Sequence, residues 1–178
     1  MVAVSGKNAG MLVRLGIDHG APLERFLRDW DSEPENLHGY FCGRDWMIDR
    51  VVHALDAWAE GRELNEGWVP CTTRFWEDDG ELQGVINIRH HLSPGLRELG
   101  GHIGYSVAPS HRRNGVATSM LRAALGVGRQ LGIGRALLTV DRQNEASWRA
   151  IERNGGVLEC ERQIDDGSMQ RWYWINIS

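Results

Sequence analysis

The spacing of apolar and polar positions changes several times along the chain, and each change marks an element. Met11-Leu-Val-Arg-Leu15 has the length and content of a short strand and ends at Gly16. Leu23, Phe26, Leu27 and Trp30 then recur at helical spacing behind Asp18, which predicts a first helix capped by that aspartate. The stretch 31–43, with Pro34, Asn36 and two glycines, reads as a loop. Met47, Ile48, Val51, Val52, Leu55, Trp58 and Ala59 make one apolar stripe, so a second helix is expected, closed by Gly61 in a left-handed conformation. From Trp68 the residues are β-formers: 68–76 and 82–89 flank the turn Asp78-Asp79-Gly80 and predict a hairpin.

In the second half, strand and helix signals alternate. Gly100 and Gly101 precede a strand at 102–107, stopped by Pro109. Ala117, Met120, Leu121, Ala124 and Leu131 share one face of a helix over 116–131 that Gly132 ends. The continuous apolar run 136–140 reads as a strand buried on both faces. Together these make a strand, helix, strand unit, for which parallel pairing and a right-handed crossover are expected. A short helix over 147–154 stops at Gly155-Gly156, and 157–164 and 169–177 form a last hairpin around Asp165-Asp-Gly-Ser168. Antiparallel hairpins around one such crossover imply an α/β fold: a mixed sheet with helices on both faces.

Composition narrows the reading further. At 178 residues, 42% of them apolar and 25% charged, the chain has the size and make-up of one soluble domain spanning 1–178, with 1–10 as a loose tail. No apolar run approaches the ~18 residues of a spanning helix, and 1–7 lacks the layout of a secretory leader, so a cytoplasmic location without a membrane partner is expected. Cys42, Cys71 and Cys160 are odd in number and far apart; they suit neither a disulfide framework nor a metal pair and read as small core residues. His90, His91 and His111 lack zinc-ligand spacing, and no metal site is expected. A net charge of −4 gives no reason to expect a nucleic acid partner, so any anion must be bound locally. Glycine, 22 residues in all, is dense between Gly95 and Gly134 and points to that segment.

The chemistry concentrates in 107–118, a basic, glycine-punctuated turn leading from a strand straight into a helix. A helix N-terminus presents about four unpaired N–H groups and a partial positive charge, so it can receive a phosphate without a large basic patch. Gly115 and the small Ala117 allow close approach, Arg112 and Arg113 add attraction, and Asn114 and Thr118 can supply polar contacts. An arginine-rich loop that merely caps a helix has the same pattern. Neither a Walker A loop nor a Gly-x-Gly-x-x-Gly dinucleotide fingerprint is present, and Gly126-Val-Gly128 falls in mid-helix, where it suits close packing on the sheet.

Arg112-x-x-Gly115-x-Ala117 between a strand and a helix resembles the signature of the GNAT superfamily of acyl-CoA N-acyltransferases. The likeness extends, in family order, through the strand ending at Val107, the helix after it, the strand to Val140, Asn144-Glu-Ala-Ser147 and Glu152-Arg-Asn-Gly-Gly156, so that 68–177 carries it best. It implies a twisted, mostly antiparallel sheet of about seven strands around a cofactor-binding strand, helix, strand core. It also implies acetyl-CoA as co-substrate, with its pantetheine arm in a cleft where strand 102–107 splays from 136–140. The pyrophosphate would lie on N–H groups from Arg113 through Asn114, Gly115, Val116 and Ala117 to Thr118, close to Val107 and Arg112. Asn144 stands where the family often has a cofactor-contacting asparagine, although a helix-start role suits it equally.

The reaction so implied is direct attack of a primary amine, on a small molecule or a peptide, on the thioester. A lysine-like amine has a pKa near ~10.4, so a base is needed, and His102 in the cleft-lining strand is the candidate, against a structural or solvent-facing role. Backbone N–H groups around 106–108 are candidates for stabilising the oxyanion. Many family members place a proton-donating tyrosine seven residues after the asparagine; here that residue is Ile151, which leaves the acid to solvent or Tyr105. The departure keeps a second expectation open, a non-catalytic acyl-CoA-binding sensor or interaction module. Trp30 and Trp58 read as helix core; Trp172 and Trp174 share one face of the last strand and could belong to an acceptor pocket or a homodimer surface.

Overall fold

The computed structural model describes residues 10–31, 37 and 47–177. Most of the expected loop at 31–43, and Cys42 with it, lies outside the described residues. The described chain runs β1 (Met11–Val13), α1 (Gly20–Arg28), α2 (Ile48–Ala59), β2 (Cys71–Asp78), β3 (Glu81–Arg89), α3 (Pro94–Glu98), β4 (Ile103–Val107), α4 (Val116–Gln130), β5 (Arg135–Asp141), α5 (Glu145–Arg153), β6 (Val157–Gln163) and β7 (Met169–Asn176).

The seven strands make two antiparallel sheets, ordered β1-β2-β3-β4 and β5-β7-β6. Helices cover both faces, as the alternation along the strands requires. On one face α4 and α5 bury Met120, Leu121, Ala124 and Ile151 against Ile86, Ile88, Leu138, Tyr173 and Ile175. On the other, α1 and α2, with Trp30 just past the end of α1, bury Leu23, Phe26, Trp30, Leu55 and Trp58 against Phe75, Leu82 and Val85. Neighbouring residues of one strand thus serve opposite cores: Phe75 packs beneath α1, Trp76 on the α4 side.

Several local expectations are corrected. The parallel ladder expected between 102–107 and 136–140 does not form; β4 and β5 end up in different sheets. The first helix starts at Gly20, after a 3-10 turn over Ile17–His19, and Asp18 does not cap it: His19 is the N-cap without a side-chain cap bond, and its Nδ1 accepts from the Gly16 N–H at 3.0 Å, closing the 3-10 turn. The first hairpin strand begins at Cys71, because Trp68 turns aside to pack edge-on against Trp58 at 5.3 Å. The short helix α3 was not anticipated, although Ser93-Pro94 is a start signal: Ser93 Oγ accepts from the Leu96 N–H and proline occupies the first turn. Gly61, at φ +76°, and Gly132, at φ +78°, take the left-handed conformation expected after α2 and α4.

Candidate active site

β4 and β5 meet at one end and then diverge. At the meeting point the His102 N–H donates to Leu137 O at 2.7 Å, and the Leu137 N–H donates to His102 Nδ1 at 3.0 Å. Beyond it the strands form the walls of a cleft of about 330 Å³, Ile103 to Ser106 on one side and Leu138 to Asp141 on the other, with Asn144, Ser147 and Ile151 of the α5 segment closing it. Divergence converts two interior strands into two facing edges, so an extended ligand with its own amides can pair with backbone groups there while apolar side chains line its path.

The far end of β4 leads into the basic, glycine-containing turn before α4. After a 3-10 turn at Pro109–His111 the backbone passes through Arg113 at φ +63° and Gly115 at φ +81°. Left-handed residues spaced in this way curl the chain so that successive N–H groups face a common concavity. Gly115 is the N-cap of α4 and provides no side-chain cap; the Ser119 N–H to Gly115 O bond, 3.1 Å, lies at the start of the helix, and the N–H groups of Val116, Ala117 and Thr118 come ahead of it. Val116 is buried and anchors this end of the helix in the core.

The turn is fastened to the first helix. Ser110 donates to Asp29 Oδ2 through both its N–H, at 3.1 Å, and its hydroxyl, at 2.7 Å. Arg112 Nε donates to Val107 O at 3.2 Å, and its guanidinium lies over the Trp30 ring at 5.5 Å. Arg112 therefore acts as a strut, and Arg113, exposed beside it, presents its charge to solvent. Asp29 and Ser110 were missed in the sequence because they stand 81 positions apart.

Asn144 caps α5, its Oδ1 accepting from the Ser147 N–H at 3.1 Å, and also lines the cleft. Ser147, one turn on, lines the cleft too and had not been singled out; its position three residues after the capping asparagine was the available signal. Asn154 was likewise missed: its Nδ2 donates to Thr118 O at 3.1 Å and Ala150 O at 2.8 Å, tying α5 to the first turn of α4.

The proton-handling candidates sit as follows. The Tyr105 hydroxyl donates to Ser147 O at 3.1 Å, and burial pushes its pKa up to about 12. Ile151, 2% exposed, puts an apolar side chain in the cleft wall. His102, 8% exposed, is not among the cleft-lining residues; burial first, then the charges of Arg97, Arg89 and His91, pull its pKa from 6.5 down to about 4. Of the N–H groups expected near the oxyanion, that of Ala108 is committed to Gln83 O at 2.9 Å. Trp172 donates from Nε1 to Glu98 O at 3.0 Å beneath the Arg162 guanidinium, and Trp174 lies beneath that of Arg135. No helix among the described residues is long and apolar enough to cross a membrane.

The fold has counterparts among known proteins. A family model described as an acetyltransferase (GNAT) domain matches residues 14–157. No curated protein matches the chain in sequence. Among solved structures, a GNAT-family acetyltransferase from Streptococcus pneumoniae superposes with a TM-score of 0.64 at 18% identity, over 95% of this chain and 99% of its own. A proposed acetyltransferase from Salmonella typhimurium, solved with its cofactor acetyl-CoA, gives 0.60 at 17%, over 96% and 95%. RimL, a ribosomal L7/L12 alpha-N-protein acetyltransferase in complex with coenzyme A, gives 0.65 at 17%, over 93% and 92%. At these identities the likeness is one of fold.

Proposed function

The chain belongs to the GNAT family of acetyltransferases, and from that membership we propose that it transfers an acetyl group from acetyl-CoA to a primary amine of a small molecule or a peptide. One observation carries the reading: β4, which forms one wall of the splayed cleft, runs on into the turn before a helix N-terminus whose cap, Gly115, has no side chain to occupy it. A helix N-terminus reached from the end of a cleft-wall strand suits a ligand that is charged at one end and an extended amide arm at the other. Val116 to Thr118, with Arg113 and Asn114, would hold the pyrophosphate; Val107 and Arg112 would frame it; the edges of β4 and β5 would hold the arm beside Asn144.

The thioester supplies an activated acyl group when it is bound, and the protein's work is to position and to manage protons. An incoming ammonium must lose a proton before its nitrogen lone pair can form the new C–N bond. His102 suits this poorly, since its Nδ1 is committed to the Leu137 N–H. Asp141 stands in the cleft wall, with Oδ1 held by the Gln143 N–H at 2.6 Å, and we assign its carboxylate to a water relay that carries the proton away. As the C–S bond breaks, its electron pair leaves with sulfur; a thiolate is a fair leaving group, and the Ser147 hydroxyl in the wall can hydrogen-bond it until solvent protonates it.

Calorimetric titration with acetyl-CoA, followed by mass spectrometry of a mixed pool of metabolite and peptide amines, tests the proposal. Binding and a gain of one acetyl group on an amine are expected. A folded sample that binds no acetyl-CoA would overturn it. A second reading, a non-catalytic acyl-CoA-binding module, draws on Ile151 in place of a proton donor and on the committed Tyr105 hydroxyl. Binding without product from a pool that includes protein N-termini favours that reading.

A further inference from the structure

Leu137 is buried in the middle of β5, and its N–H must find an acceptor or cost about 1–3 kcal/mol. In a regular ladder the neighbouring strand would offer a carbonyl. Here the segment entering β4 does not: Gly100 O and Gly101 O each accept from Arg89 Nη1 at 3.2 Å, and His102 O accepts from the Arg89 N–H of β3 at 2.8 Å. Gly101, at φ +64°, brings this segment so near β5 that a Cβ would stand 2.3 Å from Leu137 O. The two sheets are thus pressed together at one place where the backbone can supply one bond of the pair, His102 N–H to Leu137 O, and the imidazole supplies the other.

We propose that His102 is a positioning residue, whose Nδ1 replaces the missing backbone carbonyl and so sets the apex from which the acyl-CoA cleft opens; the cleft part rests on the function proposed above. A ladder that closes on a side chain offers no register for the next pair of residues to continue. Backbone pairing therefore stops at His102 and Leu137: Ile103 to Ser106 and Leu138 to Asp141 diverge as cleft walls, and on the other side of His102 Gly100, whose N–H turns to the Thr139 hydroxyl at 2.8 Å, lines the same cleft. The role demands an acceptor at Nδ1, hence a neutral ring with its proton on Nε2, because a protonated ring would set one donor against another. The surroundings favour that form: the ring is buried, with the positive charges of Arg97 and Arg89, and His91, nearby. The ring also packs edge-on toward Trp174, at 6.4 Å between centroids, which fixes its plane. The assignment accounts for a histidine that lies at the cleft apex and yet is not among its lining residues.

Nitrogen NMR of the wild-type protein tests it without any substitution: the His102 ring should be the Nε2–H tautomer at neutral pH, and an Nδ1–H tautomer would overturn the proposal. His102→Asn places an amide oxygen near the position of Nδ1, whereas His102→Leu removes the acceptor. Amide exchange should show Leu137 protected in the wild type and in His102→Asn, and at least about tenfold less protected in His102→Leu, with β6 and β7 little changed. Coenzyme A affinity should follow the same order, falling about tenfold in the leucine variant and less than about threefold in the asparagine variant. Unchanged Leu137 protection in His102→Leu would refute the proposal, as would equal losses in both variants, the result a catalytic base would give in turnover. Exchange and tautomer as expected with no coenzyme A binding by the wild type would sustain the bridge and overturn the function proposed for the cleft.

Discussion

Gly115→Glu separates the stability of the turn before α4 from the anion-binding role proposed for it. Gly115 sits at φ +81°, ψ 2°, a conformation that costs a residue with a Cβ about 1–2 kcal/mol. A carboxylate at the N-terminus of α4 recovers about 0.3–1 kcal/mol through the helix dipole, so the fold should lose about 1 kcal/mol and remain cooperative. Binding should respond far more. A glutamate charge about 5 Å from a phosphate charge, at an effective dielectric constant of about 20, repels it by about 3 kcal/mol, and the carboxylate also competes for the N–H groups of Val116 to Thr118. A loss of coenzyme A affinity of a hundredfold or more follows. Gly115→Ala carries the backbone strain without the charge and should lose no more than about tenfold. Calorimetric titration with coenzyme A reads the affinities and urea unfolding the stabilities. A folded Gly115→Glu protein that binds coenzyme A within about threefold of wild type would refute the placement of the pyrophosphate on this helix end.

Three further outcomes are expected. Gly101→Ala combines a left-handed alanine with a Cβ 2.3 Å from Leu137 O, a backbone atom that cannot swing aside, and should cost about 2–4 kcal/mol in urea unfolding; a loss below about 1 kcal/mol would show that β4 and β5 are less tightly apposed. The pKa of His102 is lowered on folding, so the unfolded chain binds the proton more tightly; the resulting stability is complete above pH 6.5 and is lost as pH falls from there to about 4. The loss should be about 2 kcal/mol after solvent screening, and His102→Asn should lack that part of the pH dependence; an unchanged profile would remove His102 as its source. Asn154→Ala removes one hydrogen bond from the end of α5 to α4 and one to the Ala150 carbonyl of α5 itself, and should cost about 1–2 kcal/mol while weakening coenzyme A binding, because Thr118 lies in the first turn of α4; a stability loss without any change in affinity would detach Asn154 from the site.

Much of the site was legible because its parts are local. Gly115 and Asn144 act within one turn of their own helices, and the need for a left-handed residue or a capping oxygen is a property of short segments. The turn from Val107 to Thr118 could be picked out for the same reason: strand end, basic residues, glycine and helix start follow one another in the chain. The Ser93-Pro94 start of α3 belonged to this class as well and was overlooked. Asp29 with Ser110 and Asn154 with Thr118 are different in kind, because each contact joins elements whose proximity is set by the packing of other elements.

The sequence by itself determined the elements and the two apolar faces that each sheet must cover, since period and punctuation act over a few residues at a time. It also determined that a helix here begins behind a basic, glycine-containing turn. Only the tertiary structure decided that β4 and β5 part company after one pair of bonds, for residues 102–107 and 136–140 read individually as ordinary strands. Whether two such strands pair depends on what else claims their backbone groups: Arg89 takes the His102 carbonyl, and an imidazole serves Leu137 in its place. The residues that could have formed an uninterrupted ladder form the walls of a cleft instead, because hydrogen-bond partners are allotted among all the neighbours in space and a single strand's sequence contains only one side of that exchange.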